Sequence, residues 1–472
     1  MCSPSATCVV SGVLVPFTIG VRELYIWRRK WTFGLVLLVV LIISCGAGWA
    51  DTPDSGSAST ASETIDTSTR QPEATAIEEP AAAEPKKPPF FEVHGFLQNN
   101  SSQRIITSSQ FPMESLKLEN RLQLELIHDG SKWGFHSKTD AVWDPDNRYG
   151  LIDVREAYLT KPGSRLDLTL GKEIITWGVG DLIFLTDVFP KDWVAFITGA
   201  PIEYLKKGSI AAKADYYVRG TTVEGIWIPV FEGDTLPSGN KLAFFSPFPP
   251  GTSVHEVDPS TTFGNSQVGL RISRMIHDYD TSLYLYSGWD PRPSPSFASS
   301  SLEHHRLKMS GLSFQGPFRG SLLSGEFAYY RTEDTSGTNP AIPNPALRWL
   351  LGLERTLTGN RVVSLQFYQE MMTDYTGYTT TLPAGFPSQP RLDTLITARY
   401  RDTLRGETIK RTIFALYGPS QRDYFINAEW RQDLSDTVWY ALGINLFGGR
   451  AWTTYGQFEK DSNLYFTVRR GF

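Results

Sequence analysis

The sequence predicts an all-β fold: a membrane-spanning, antiparallel up-and-down β-barrel of about 18 strands (16–18) over residues 90–472. Three observations carry this expectation. Apolar and polar side chains alternate along segments of about ten residues, the length of a tilted membrane strand. Short turns and long loops alternate between those segments, as they do when the two rims of a barrel face different compartments. An export segment and a low-complexity stretch precede the whole series.

Composition agrees without deciding the matter. Aromatic residues make up 13% of the 472 residues, with 20 Tyr and 13 Trp, and there are 40 Gly. A barrel wall exposes only half its side chains to lipid, so moderate hydropathy with many aromatics suits it. A soluble all-β enzyme shares such a composition. The formal net charge of -5 speaks against a nucleic-acid partner. Only three Cys occur, Cys2, Cys8 and Cys45, all before Ala50. The rest of the chain therefore uses neither disulfides nor thiolate metal sites, and it is spared wrong disulfides in an oxidising periplasm.

Residues 1–50 read as a signal peptide. Arg28, Arg29 and Lys30 precede an uncharged run from Trp31 to Ile43, followed by the small residues of GAGWA. The run is short for a transmembrane helix. Cleavage after Ala50 and lipid modification at Cys45 are both open, with Ala50 favoured. Residues 51–89 are Ser, Thr, Ala, Glu and Pro with little apolar content, a composition that reads as a disordered linker.

The clearest strand is Ser115 to Ile127. Leu116, Leu118, Leu122, Leu124 and Leu126 share one face, and Lys117, Glu119, Arg121, Gln123 and Glu125 the other. A turn near Asp129 leads into a return strand, with His136, Lys138 and Asp140 on its polar face. Further strands follow at Leu151 to Thr160 and Arg165 to Ile174. Short turns are expected near Gly220, Asp278, Pro317, Gly359, Gly406 and Asp433, and long loops over residues 232–263, 289–302, 332–344, 372–390 and 448–462. The connection near Pro419 is short where a long one is due. The strand Ala346 to Thr356 turns Leu347, Trp349, Leu351 and Leu353 outward, and Val438 to Leu446 turns Tyr440, Leu442 and Ile444 outward. The last strand places Leu464, Phe466, Val468 and the terminal Phe472 on one face. A terminal Phe on such a strand resembles the signal read by the barrel assembly machinery. Arg470 departs from that pattern.

If the apolar face meets lipid, the polar face lines the lumen. The expected lining is Lys117, Glu119, Arg121, Glu125, Lys138, Lys213, Asp215, Arg271, Arg348, Glu354, Arg399 and Arg401. Such charges either line a water channel and set its ion preference or pair across the wall as structural salt bridges. Both signs occur, so no ion preference follows.

The segments VREAYLT (Val154 to Thr160), LTLGKEIITWG (Leu168 to Gly178) and TDVFPKDW (Thr186 to Trp193) resemble an uncharacterised family of porin-like bacterial outer-membrane barrels, distantly similar to alginate-export porins. The matching residues are Gly171, Lys172, Trp177, Gly178, Asp187, Pro190 and Asp192, and Glu173 stands where Gln is expected. The resemblance implies an outer-membrane channel and no particular solute. The segment between these strands, from Trp177 and Gly178 through Asp181, Asp187, Pro190, Lys191 and Asp192, is expected to constrict that channel, with Asp181, Asp187, Lys191 and Asp192 facing it. Its apolar residues Leu182, Phe184, Leu185, Val188, Phe189, Trp193 and Phe196 need burial. Folding against the inner wall supplies it. A loop closing the outer mouth is the alternative.

The expected function is passive or substrate-selective diffusion of small solutes across the outer membrane of a Gram-negative cell. The expected partners are outer-membrane lipid, the barrel assembly machinery and a small solute, with a homo-oligomer left open and no cofactor or metal implied. The alternatives are a barrel hydrolase of lipid or peptide, or a structural or secretion-associated barrel. A hydrolase needs His paired with Ser or Asp, and the seven His (His94, His128, His136, His255, His277, His304 and His305) form no such motif.

Overall fold

The computed structural model describes residues 90–106, 115–146, 148–237, 241–249 and 251–472. The expected signal peptide and linker lie outside the described residues. Eighteen strands make one antiparallel sheet. In chain order they are β1 (Glu92–Arg104), β2 (Ser115–Asp129), β3 (Gly134–Asp144), β4 (Tyr149–Lys161), β5 (Leu166–Glu173), β6 (Ser209–Val218), β7 (Thr221–Ile228), β8 (Gln267–Ile276) and β9 (Tyr279–Trp289). They continue as β10 (Arg306–Phe318), β11 (Ser321–Thr332), β12 (Ala346–Thr356), β13 (Arg361–Met372), β14 (Leu392–Leu404), β15 (Ile409–Gly418), β16 (Asp423–Asp433), β17 (Val438–Gly448) and β18 (Asn463–Gly471).

Each strand pairs with its successor. The last then pairs with the first, from Phe96 opposite Gly471 to Arg104 opposite Asn463. Closure removes the sheet edge that would otherwise expose unpaired backbone groups. The terminal residue completes the seam: the Phe472 amide donates to the Gly95 carbonyl at 2.9 Å and the Gly95 amide donates to the Phe472 carbonyl at 3.1 Å. A Cβ at Gly95 would meet the Phe472 ring at 2.6 Å, so glycine there makes room for the ring.

Side chains alternate as expected along most of the wall. Leu347, Leu351, Leu353, Leu442, Leu464 and Phe466 face outward, and Leu351, Leu353, Leu442, Leu464 and Phe466 are exposed. The rims differ as the loop lengths require. One carries turns as tight as residues 219–220, where Arg219 (φ 47) and Gly220 (φ 74) both adopt the left-handed backbone of a two-residue hairpin turn. The other carries the long connections, including residues 174–208, 229–266 and 290–305. On that rim the connections after Asp144 and after Gly418 are both short, four residues each.

Two bulges overturn strict alternation. Ser102 pairs with Lys117 and Gln103 with Ser115, which leaves Leu116 without a partner. Leu116 does not share the outward face of Leu124. It is buried in a cluster with Ile197, Leu242 and Phe414. Likewise Lys138 pairs with Glu156 and Thr139 with Val154, which skips Arg155. A bulge lets two successive side chains serve one face, and Arg155 is buried among loop residues as a result.

Candidate functional site

Between β5 and β6 the chain leaves the wall at Ile174 and returns at Gly208, and on the way it crosses the lumen. Its apolar side chains fold against the inner wall, as their composition demands. Ile175, Trp177, Ile183, Leu185, Val188 and Phe189 pack with Ile226, Tyr284, Leu307, Met309, Tyr330 and Leu350 from β7 to β12. Fully burying one such side chain contributes about 1.5–3 kcal/mol, so this face alone gives the segment reason to stay inside. The helix α1 (Trp193–Ile197) packs the other way. Ile197 lies with Phe414, Leu416, Phe425 and Phe447, and Phe196 approaches the Phe425 ring at 4.7 Å.

Polar contacts fix the register of the crossing. Glu326 on β11 is the central anchor. Its Oε1 accepts from the amides of Val179 at 2.5 Å and Gly180 at 2.6 Å, and its Oε2 accepts from the Thr186 amide at 3.2 Å and hydroxyl at 2.9 Å. Four donors converging on two oxygens suit an ionised carboxylate, which only accepts. Gly178 permits this approach. Its φ is +81, and a Cβ there would lie 2.6 Å from the Thr186 hydroxyl and 2.7 Å from Glu326. The Asp181 amide donates to Gln366 at 3.2 Å, and its carboxylate meets Arg399 at 2.8 Å. The Tyr330 hydroxyl donates to the Leu185 carbonyl at 2.6 Å. Trp177 donates its indole N–H to Glu224 at 2.7 Å, and Arg271 meets the same carboxylate at 2.9 Å.

The remainder of the segment is held as firmly. Asp192 caps α1 by accepting from the Ala195 amide at 2.9 Å. Burial pushes its carboxyl pKa up, against the backbone hydrogen bond from Ala195. Asp234, from the next long connection, accepts from the Lys191 amide at 2.8 Å and from the Trp193 indole at 2.7 Å. Pro190 accepts from the Lys207 amide at 3.1 Å. Arg155 donates to the Glu203 carbonyl at 2.6 Å, and its guanidinium and that of Arg121 lie over the Tyr204 ring at 4.4 and 4.0 Å. Across the lumen, Asn463 donates to the Ile197 carbonyl at 2.9 Å.

Asp187 and Lys191 do not project into the channel as expected. They are 5% and 4% exposed and meet each other at 3.3 Å, with Lys206 closing on Asp187 at 2.7 Å. Lys191 also donates to the carbonyls of Asp187 and Phe189. A buried charge needs such partners, and here the sequence-local carbonyls supply them. Asp181 and Glu203 are acids of this segment that meet wall charges, Arg399 and Arg469 respectively.

The expected lining charges lie on the inward parity of their strands. Lys117 meets Glu119 at 3.1 Å, and Arg121 meets Glu119 at 2.7 Å and also Asp140. Lys138 meets Glu125 at 3.3 Å and Lys213 meets Glu173 at 2.6 Å. Arg348 meets Glu370 at 3.0 Å and Arg401 meets Glu354 at 2.9 Å. Asp215 stands opposite Glu224. Much of the wall charge is therefore paired. Arg401 keeps 46% of its side chain exposed and Glu354 36%, so this pair faces open space. A cavity of about 380 Å³ lies beside the segment, lined in part by Gly178, Val179, Arg271, Ser273, Ser282 and Tyr284.

Sequence reasoning missed Glu326, Arg155 and Asp234. A signal existed for the first: Glu326 is the lone acid in the strand SLLSGEFAYYRT. Among the described residues, His128 hydrogen-bonds the Phe90 carbonyl and His136 meets Glu125, and no His bonds a Ser hydroxyl.

No protein-family model matches the chain, and no curated protein does. Solved structures do. Pseudomonas aeruginosa OccK2 (OpdF), solved in complex with glucuronate, aligns with TM-score 0.51 at 11% identity, covering 81% of this chain and 97% of that one. Acinetobacter baumannii OccAB1 aligns with TM-score 0.50 at 9% identity, covering 81% of this chain and 96% of that one. At such identity the likeness is one of fold: this chain has the barrel architecture of bacterial outer-membrane porins.

Proposed function

We propose that this chain is an outer-membrane channel for small solutes, with residues 174–208 setting what passes. One observation carries the reading. A closed 18-stranded wall, wide enough for a water channel, is crossed by a segment anchored at Glu326, Gln366, Arg399 and Asn463 on the far side. A barrel whose only task was structural would not need an inward segment fastened at so many points. Asp181, Arg399, Arg401 and Glu354 are then the first groups to govern selectivity, because charges left facing water at a constriction act on a passing ion. The neighbour's glucuronate makes a small carboxylate the first solute to try. The resemblance of residues 154–193 to porin-like barrels distantly similar to alginate-export porins supports the same class.

The long-loop rim faces outside and the tight-turn rim faces the periplasm in this reading, and the outward apolar face meets outer-membrane lipid. Phe472 would serve assembly machinery as the terminal signal. Purified protein in planar bilayers should give stepwise conductance, and liposomes should admit labelled glucuronate. Silent bilayers together with impermeable liposomes would remove the channel reading.

A further inference from the structure

On the long-loop rim, two connections bring three ligand-bearing side chains together. His304 comes from residues 290–305, and Glu256 and Asp258 come from residues 229–266. The segments are joined by a short parallel ladder in which Leu302 stands opposite Glu256. The His304 side chain is fully buried, and its Nε2 lies 3.0 Å from Glu256 Oε1 and 3.6 Å from Asp258 Oδ1. The three candidate ligand atoms lie within 4.8 Å of one another.

The other ring nitrogen decides what this arrangement means. His304 Nδ1 lies 2.9 Å from the Asp290 carbonyl, which can only accept. Nδ1 therefore carries the hydrogen, and in the neutral ring Nε2 presents a lone pair. That lone pair faces two carboxylate oxygens, so three acceptors converge with no donor among them. Either a second proton on the ring or a metal cation between the three groups resolves the conflict. A carbonyl that fixes the tautomer of a histidine is also the usual support of a metal-ligating imidazole.

The spacing suits a metal. For bonds of about 2.0–2.1 Å, a tetrahedral site separates its ligand atoms by roughly 3.3–3.4 Å, and the two distances from Nε2 bracket that value. The cradle is tight on the imidazole side: the Phe231 ring lies 4.5 Å from that of His304, and a Cβ at Gly233 would come within 3.2 Å of it. The carboxylate side is open, with Asp258 70% exposed, which leaves room for water as a fourth ligand.

We propose that Glu256, Asp258 and His304 bind one divalent transition-metal ion of the zinc class, which clips the two loops together. One imidazole with two carboxylates favours zinc over calcium or magnesium, which prefer all-oxygen sites. The proposal does not depend on the channel reading, because binding is measured directly.

The test is calorimetric titration of chelator-stripped, detergent-solubilised full-length protein with Zn²⁺, repeated with Ca²⁺. One Zn²⁺ per chain should bind, and Ca²⁺ should bind far more weakly. Glu256→Gln and Asp258→Asn, at exposed carboxylates that leave the fold intact, should each lower Zn²⁺ affinity at least about 10-fold. His304→Ala should abolish saturable binding. Zn²⁺ should also slow proteolysis of residues 251–266 in the wild type and not in the variants. Absence of saturable Zn²⁺ binding would overturn the proposal and leave an imidazolium ion pair. Binding that survives all three substitutions, or equal binding of Ca²⁺, would overturn it too.

Discussion

Replacing Glu326 by Ala should loosen the crossing segment while leaving the wall closed. Glu326 is 3% exposed and accepts four hydrogen bonds, three of them from backbone amides. An amide left without a partner in a buried site costs about 1–3 kcal/mol. Val179 and Gly180 are only half-buried, so water entering the space left by the side chain recovers part of that. The net loss of docking is then roughly 3–5 kcal/mol for the three amides together. At about 1.4 kcal/mol per tenfold, even the lower figure raises the undocked population on the order of 100-fold. Glu326→Gln should fall between. Its oxygen still accepts from Val179 and Gly180, but its NH₂ opposes the Thr186 amide. The assay is single-channel recording beside hydrogen exchange of residues 178–187, with heat-modifiable gel mobility as the check that the barrel is closed. Glu326→Ala should give larger or noisier conductance and faster exchange, Glu326→Gln a smaller change. Wild-type exchange and conductance in Glu326→Ala would refute the anchoring role.

Other expectations follow from the same geometry. Gly178→Ala forces a Cβ into Thr186 and Glu326 at a positive φ, so its exchange behaviour should approach that of Glu326→Ala; an unchanged pattern would show that the backbone there tolerates a side chain. Arg155→Ala removes the bonds to the Glu203 and Lys206 carbonyls and the stack on Tyr204, and should speed exchange at residues 202–207 by about 10-fold or more, from a loss of roughly 1.5–3 kcal/mol. Deleting Phe472 removes two seam hydrogen bonds and the ring over Gly95, and should lower the yield of folded barrel in cells. Loop 333–345 should keep its shape in acid. Burial pushes the Asp334 carboxyl up, but bonds from the Asn339 and Ser336 amides and the Ser336 hydroxyl outweigh it and hold the pKa below the ordinary 3.8. A depressed folded-state value means that this stabilisation is present above 3.8 and is lost as pH falls through the lower folded value. Limited pepsin digestion along a pH series should show cleavage of the loop only below that window, and Asp334→Asn should abolish the dependence.

The wall was legible because its rules are local. SLKLENRLQLELI shows its two faces by alternation alone, and turn length separates the rims. The inward course of residues 174–208 was legible too, since Leu185, Val188 and Phe189 had no apolar surface of their own to bury against. What failed was what depends on pairing partners. Leu116 and Arg155 turn inward because one strand carries an extra residue relative to its neighbour, and a single strand does not reveal that. Asp187 and Lys191 read as channel charges because a sequence does not say whether an acid and a base four apart will meet each other or water. The Glu326 anchor joins residues 140 or more apart in sequence, and Glu256, Asp258 and His304 meet only once two loops pair. No spacing motif describes either.

The most direct test of the central claim replaces residues 181–198 with a short Gly-Ser linker and records single-channel conductance beside the wild type in the same bilayers. The barrel wall makes its own hydrogen bonds and should remain closed. If residues 174–208 set passage, the shortened protein conducts several-fold more and discriminates less between glucuronate and chloride in a salt gradient. Equal conductance and an equal reversal potential in the two proteins would contradict the account.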